Sequence, residues 1–192
     1  MSSDWTCERH GPVAPFHVAP RPGPEAVKQA TTRSAVPLWA PMPLLPSWTV
    51  TGLGMAGDER SGTTATVVAL SGPSPLGGPA DLLLVAEEPG TGLGARFTGV
   101  EHLDPSAAIS GPPDAKVEAA GHPTALWRCD SSEDRVAFVG EAGGVWFYAV
   151  LWPPAAELVL LEHVVLYDLR HEAHVVDALP FGALSPKLAT SA

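Results

Sequence analysis

Few residues in this chain are spaced for chemistry, and the first of them are Cys7 and His10. Two ligand-type side chains with a two-residue gap can grip one metal ion, and a tetrahedral structural zinc site is assembled from two such turns. Here one turn is present, His17 is a conceivable third ligand, and no soft fourth is at hand. The expected cofactor content is therefore none. Zinc on Cys7 and His10 is expected only if a longer N-terminus or a second copy supplies the missing ligands. A second pattern, Gly90-Thr91-Gly92-Leu93-Gly94-Ala95, has the glycine spacing of a dinucleotide loop. That mechanism needs a helix to start at the loop so that its N-terminus faces the pyrophosphate. Arg96-Phe97-Thr98-Gly99-Val100 and then Pro105 leave no room for a long helix, so a β-turn or bulge is expected. A small-anion nest assisted by Arg96 is the alternative.

Other reactive types are isolated. Glu87 and Glu88 are adjacent, and adjacent strand residues point to opposite faces, so they cannot form a carboxylate pair; either could meet Arg96 or Arg135. Asp58-Glu59-Arg60 reads as a solvated turn. His171-Glu172-Ala173-His174 places its histidines three apart rather than the four that a zinc-protease helix needs, and reads as an exposed polar turn. No G-x-S-x-G elbow, phosphate-binding P-loop or C-x-x-C is present, and Ser71, Ser74 and Ser185 sit in turns. His122, just before Pro123, suits a turn or the lining of a pocket.

The elements that must position these residues are strands. The chain has 192 residues, 45% hydrophobic and 17% charged, enough apolar material for a core and too little charge for disorder. A net charge of −10 with no Lys/Arg cluster disfavours nucleic acid and anionic membrane surfaces as partners. The longest apolar runs, such as Leu158 to Leu161, fall far short of the roughly 20 residues of a membrane helix. With no secretory start and two cysteines far apart, Cys7 and Cys129, a cytoplasmic protein without a structural disulfide is expected.

Trp48–Ala56, Thr63–Leu70, Asp81–Glu87, Ala115–Ala119, Ala125–Cys129, Arg135–Gly140 and Val145–Trp152 read as strands, joined by loops short enough for antiparallel neighbours. Val145–Trp152 is apolar on both faces and should be central and covered on both sides. A short helix is expected over Pro24–Thr32, with Pro24 in its first turn. Pro154–Leu169 begins like a helix, while Val164-Val165-Leu166-Tyr167 suits a strand equally well. Val36–Trp48 alternates prolines with large apolar residues. It should lie on the core as a strap, or else form a docking surface for a protein partner or for a homodimer through 36–48. The fold class is α+β, mainly antiparallel sheet with one or two short helices. Residues 1–33 form an N-terminal segment, and 34–192 a single β-rich domain.

The segments VPLWAPMPLLPSW (36–48), AGDERSGTTATVVALSGPSPLGGPADLLLVAEEPGTGLGAR (56–96), AKVEAAGHPTALW (115–127), DRVAFVGEAGGVWFYAVLWP (134–153) and LPFGALSPKL (179–188) carry a resemblance. They resemble an uncharacterised actinobacterial family, a domain of unknown function. The resemblance implies an N-terminal paired-cysteine knuckle, C-x-x-C-G followed by W-x-C-x-x-H-G. The second half stands here as Trp5-Thr6-Cys7-Glu8-Arg9-His10-Gly11, and Met1 falls too close upstream for the first. Some members carry a phosphotransacetylase label that no residue pattern in this chain supports.

The expected function is a binding or interaction domain with no catalytic motif; the alternative is a small-molecule acyl- or phosphoryl-transfer enzyme. A ligand site would gather tryptophans such as Trp127 and Trp146 with Arg60, Glu87, Arg96, His122 or Glu141. The enzyme alternative requires the loops at 57–62, 87–96 and 121–123 to meet around one pocket. The small molecule concerned is not specified by any of these residues.

Overall fold

The computed structural model describes residues 6–7, 11–12, 15–58, 62–100 and 103–189. β-branched and large apolar residues between Gly/Pro breaks give long paired strands, as their preference for a pleated, half-buried surface dictates. In chain order the elements are β1 (Thr6–Cys7), β2 (Gly11–Pro12), β3 (Phe16–Val18), α1 (Pro24–Arg33), β4 (Trp39–Pro41), β5 (Thr49–Asp58), β6 (Gly62–Pro73) and β7 (Pro79–Glu87). They continue with α2 (Leu93–Thr98), α3 (Pro105–Ala108), β8 (Ala115–Ala119), β9 (His122–Cys129), β10 (Val136–Ala142), β11 (Val145–Trp152), β12 (Val165–Asp168) and α4 (Ala173–Val176). The fold is α+β with a mainly antiparallel sheet. Among the described residues it has more helical segments than the one or two expected, and of the α-helices only α1 exceeds six residues.

One sheet of ten strands runs in the order β3-β5-β6-β7-β11-β10-β9-β8-β12-β4. β5, β6 and β7 form an antiparallel meander, and β10 and β11 a hairpin turned at Gly143-Gly144, both with positive φ. The far end of the order, β4, packs back across β6 and β7, so the sheet is rolled. β11 lies between β7 and β10 with both faces covered, which matches its two-sided apolar sequence.

The inner face holds the larger core, with Leu38, Leu82, Leu84, Leu126, Phe147, Leu151 and Leu166. The strap contributes Leu38, Trp39 and Trp48, all buried in the chain's own core, and Trp39 meets Phe147 edge-on at 6.4 Å between centroids. The Trp39 indole N–H is the buried side-chain donor that has no partner among the described residues. α1 turns Val27 and Ala30 into this same core. Pro154–Leu169 resolves both halves of its ambiguous pattern in succession. Pro154–Leu161 forms a 3₁₀ segment on the inner face, and β12 follows, parallel to β8 and antiparallel to β4.

The outer face of β11 carries Tyr148, Val150 and Trp152 and is covered by α2. Among the described residues no helix is long and apolar enough to cross a membrane.

Candidate functional site

The glycine loop after β7 starts a six-residue helix, which corrects the expected turn or bulge. Gly92, at φ 80°, takes the left-handed conformation that turns the chain into α2. Gly94 lies flat on Tyr148: a Cβ there would stand 2.3 Å from the ring. Only glycine lets the first turn of α2 come so close to β11. The Gly94 amide at that first turn is already used. Glu87, 3% exposed at the end of β7, accepts from the Gly94 amide at 2.9 Å, and the Leu93 amide and the Tyr148 hydroxyl are the neighbouring donors that favour its charged form. The chain's own carboxylate thus occupies the place where a bound phosphate would sit. Burial pushes the Glu87 pKa up, with the Gly94 hydrogen bond and the nearby Leu93 and Tyr148 donors acting against the rise. Burial beside that carboxylate pushes the Tyr148 hydroxyl up as well.

The remaining sequence candidates are partly assembled. Glu87, Trp146 and Glu141 form one cross-strand row over β7, β11 and β10, because Trp146 pairs with both glutamates. The row grades from the buried Glu87 through the half-buried Trp146 to the exposed Glu141. Trp127 lies on the same face opposite Val139, half-buried, and its indole N–H donates to the Gly111 carbonyl at 3.2 Å. Arg96 turns away from this row and stands 5.0 Å over the Phe16 ring. His122 is exposed at the start of β9 and pairs with Ala119. Glu87 meets neither Arg96 nor Arg135; Arg135 is engaged by Asp134 and the Phe97 carbonyl.

The end of β7 and the starts of β6 and β9 lie at one end of the sheet, but β6 and β9 are four strand intervals apart, about 19 Å along the sheet. Neither cavity described below is lined by Arg96 or His122. Arg60 and His10 lie outside the described residues, and of Cys7 only its pairing in β1 with Gly11 is described. His171 and His174 are exposed, and no cluster of metal-ligating side chains occurs among the described residues. Cys129 is a free, buried thiol whose pKa is pushed up to about 12 by desolvation, which leaves it unreactive.

Two cavities lie apart from these residues. The smaller, 200 Å³, lies between the Pro154–Leu161 segment and β8–β10, and an Arg128–Glu157 ion pair closes its polar side. The larger, 300 Å³, is a groove between α1 and the β3–β5 edge of the sheet. Its floor is apolar, with Ala19, Leu53 and Met55. Ala26, Gln29 and Arg33 recur at intervals of three and four and so present one face of α1 to it, while Val27 and Ala30 on the neighbouring stripe enter the core. His17, Arg21 and Arg33 bring positive or protonatable groups to its rim. Elsewhere Lys28, Arg128, Arg135 and Arg170 are tied to carboxylates. Arg21 and Arg33 have no carboxylate within ion-pair distance among the described residues.

Sequence reasoning missed this groove. His17 was noticed only as a metal ligand, and Arg21 and Arg33 not at all. The available signal was the α1 stripe at helical spacing, which ends in a cation with no acidic residue three or four positions before it.

The chain belongs to a family of unknown function (DUF6758), which matches residues 1–188. No curated protein and no solved structure matched it.

Proposed function

Starting from membership in a family that carries no assigned activity, we propose that this protein is a binding domain whose ligand site is the groove between α1 and the β3–β5 edge. The ligand has negative charge and an apolar part. One observation carries the reading: in a chain of net charge −10, two arginines without ion-pair partners among the described residues line one apolar groove. A buried apolar floor supplies contact area, and an arginine at the rim supplies a directional, charge-assisted hydrogen bond to a carboxylate or phosphate. Binding is favoured over acyl or phosphoryl transfer. Transfer needs a nucleophile or an acid/base pair within hydrogen-bond reach of the substrate, and the described lining of the groove holds no carboxylate, thiol or hydroxyl to partner His17.

Hexyl phosphate serves as the probe, titrated into the full chain and followed by calorimetry and amide chemical shifts. Saturable binding is expected, with the largest shifts at Arg33, Met55 and Ala19. The double variant Arg21→Ala/Arg33→Ala should bind at least about tenfold more weakly with an unchanged circular dichroism spectrum. Undiminished binding in that variant, or shifts centred on Gly92–Gly94, would overturn the assignment.

Three further readings go with it as proposals. The buried, free Cys129 and the acidic composition support a cytoplasmic setting. A zinc site on Cys7 and His10 needs ligands from elsewhere, and metal analysis of a longer N-terminal form is its test. The strap at 36–48 keeps half-buried Met42, Leu44 and Leu45 for a partner protein or second copy, to be tested by sizing in solution.

A further inference from the structure

We propose that the natural occupant of the groove is an extended, acidic segment of a partner protein that joins the sheet as a new strand beside β3. The proposal rests on the groove being the binding site and adds what kind of molecule enters it. β3 is the terminal strand of the ten-stranded sheet, and among the described residues its outer edge has no partner strand. On the inner side the Ala19 amide donates to the Leu53 carbonyl at 2.9 Å, and the Pro15 carbonyl accepts from the Gly57 amide at 3.2 Å. With His17 opposite Met55, this antiparallel register turns the backbone groups of residues 15, 17 and 19 toward β5. The N–H and C=O groups of Phe16 and Val18 therefore face outward. Those four groups are what an added strand pairs with.

Pro20, which takes the next outward position, has no N–H, so the ladder ends after Val18. So short an edge guards against indiscriminate pairing and gives little affinity by backbone contacts alone. Selectivity must come from side chains. Residues of an added strand alternate between faces, and every second one, about 6.8 Å apart, falls on the side of His17 and Met55, where the groove lies. There they meet the Ala26, Gln29 and Arg33 face of α1 and the Arg21 side chain that follows β3. Acidic residues at alternate positions satisfy both arginines. A second copy of this chain is the weaker occupant, because its β3 edge would bring the same arginines face to face.

The test uses the full chain and capped five-residue probe peptides. The first alternates glutamate and valine, the second alternates lysine and valine, and the third is the first with its β3-facing amides N-methylated. Binding is read by fluorescence anisotropy, and pairing by hydrogen exchange at the Phe16 and Val18 amides. The acidic peptide should bind and slow exchange at both amides. The lysine and N-methylated peptides should bind at least about tenfold more weakly, as should the acidic peptide to Arg21→Ala/Arg33→Ala. If the N-methylated peptide binds as well as its parent and hexyl phosphate competes, strand addition is wrong while the groove stands. If hexyl phosphate binds and no peptide does, the partner segment is wrong and the groove again stands. If nothing binds, both readings fall. Slow exchange at Phe16 and Val18 that tracks a dimeric mass would give the edge to a second copy and overturn the proposal.

Discussion

The start of α2 and the groove beside α1 both offer donors to negative charge, and they have opposite fates. At the start of α2, the Gly94 amide of a glycine loop is buried, and Glu87 from the preceding strand already accepts from it. At the groove, Arg21 and Arg33 stand over an apolar floor with no carboxylate partner among the described residues. The first has the motif and no vacancy; the second has the vacancy and no motif. A donor set becomes a binding site only when the chain leaves it unsatisfied, because satisfied donors offer a ligand no net gain in hydrogen bonding.

The sharpest way to break this contrast is to empty the first site. Glu87→Ala strands the buried Gly94 amide and leaves a void beside Leu93 and Tyr148, so a loss of about 2–4 kcal/mol is expected in urea denaturation. A loss below about 1 kcal/mol would mean that water replaces the carboxylate and that the site is open after all. Gly94→Ala tests the same region through packing. Its methyl would collide with the Tyr148 ring, and about 1–3 kcal/mol should be lost.

A smaller effect concerns protons. The folded-state pKa of Glu87 is raised, so folding favours its protonated form and that contribution is lost as pH rises through the folded value. The melting temperature of the natural protein relative to Glu87→Gln should therefore rise as the solution is made acidic. A difference that stays flat, or falls, on acidification would show that the hydrogen bonds outweigh the burial. The smallest effect on stability is expected at the groove. Arg21 and Arg33 are exposed, and replacing either with alanine should change stability by no more than about 0.5 kcal/mol while weakening hexyl phosphate binding.

Much of the fold was legible because its signals are local. Ala115–Ala119 and Val145–Trp152 were bounded correctly by β-prone runs between glycine and proline breaks, and Pro24 marked the start of α1. The expectation of no long helix after Gly90-Thr91-Gly92 held, yet α2 formed, because a single turn needs only a left-handed glycine and a carboxylate to cap it. That carboxylate lies one residue from Glu88, with identical chemistry in the sequence; strand parity and the arrival of α2 make one buried and the other exposed.

The sequence by itself determined the strands, the two-sided burial of β11 and the chain's acidity, since each follows from residue type and spacing along a short stretch. Only the tertiary structure decided which charges find partners. Arg128 reaches Glu157, Arg170 reaches Asp168, and Glu87 reaches the start of α2, whereas Arg21 and Arg33, before and at the end of α1, line one groove with an apolar floor. Pairing depends on distances between elements remote in sequence, and the rolled sheet sets those distances.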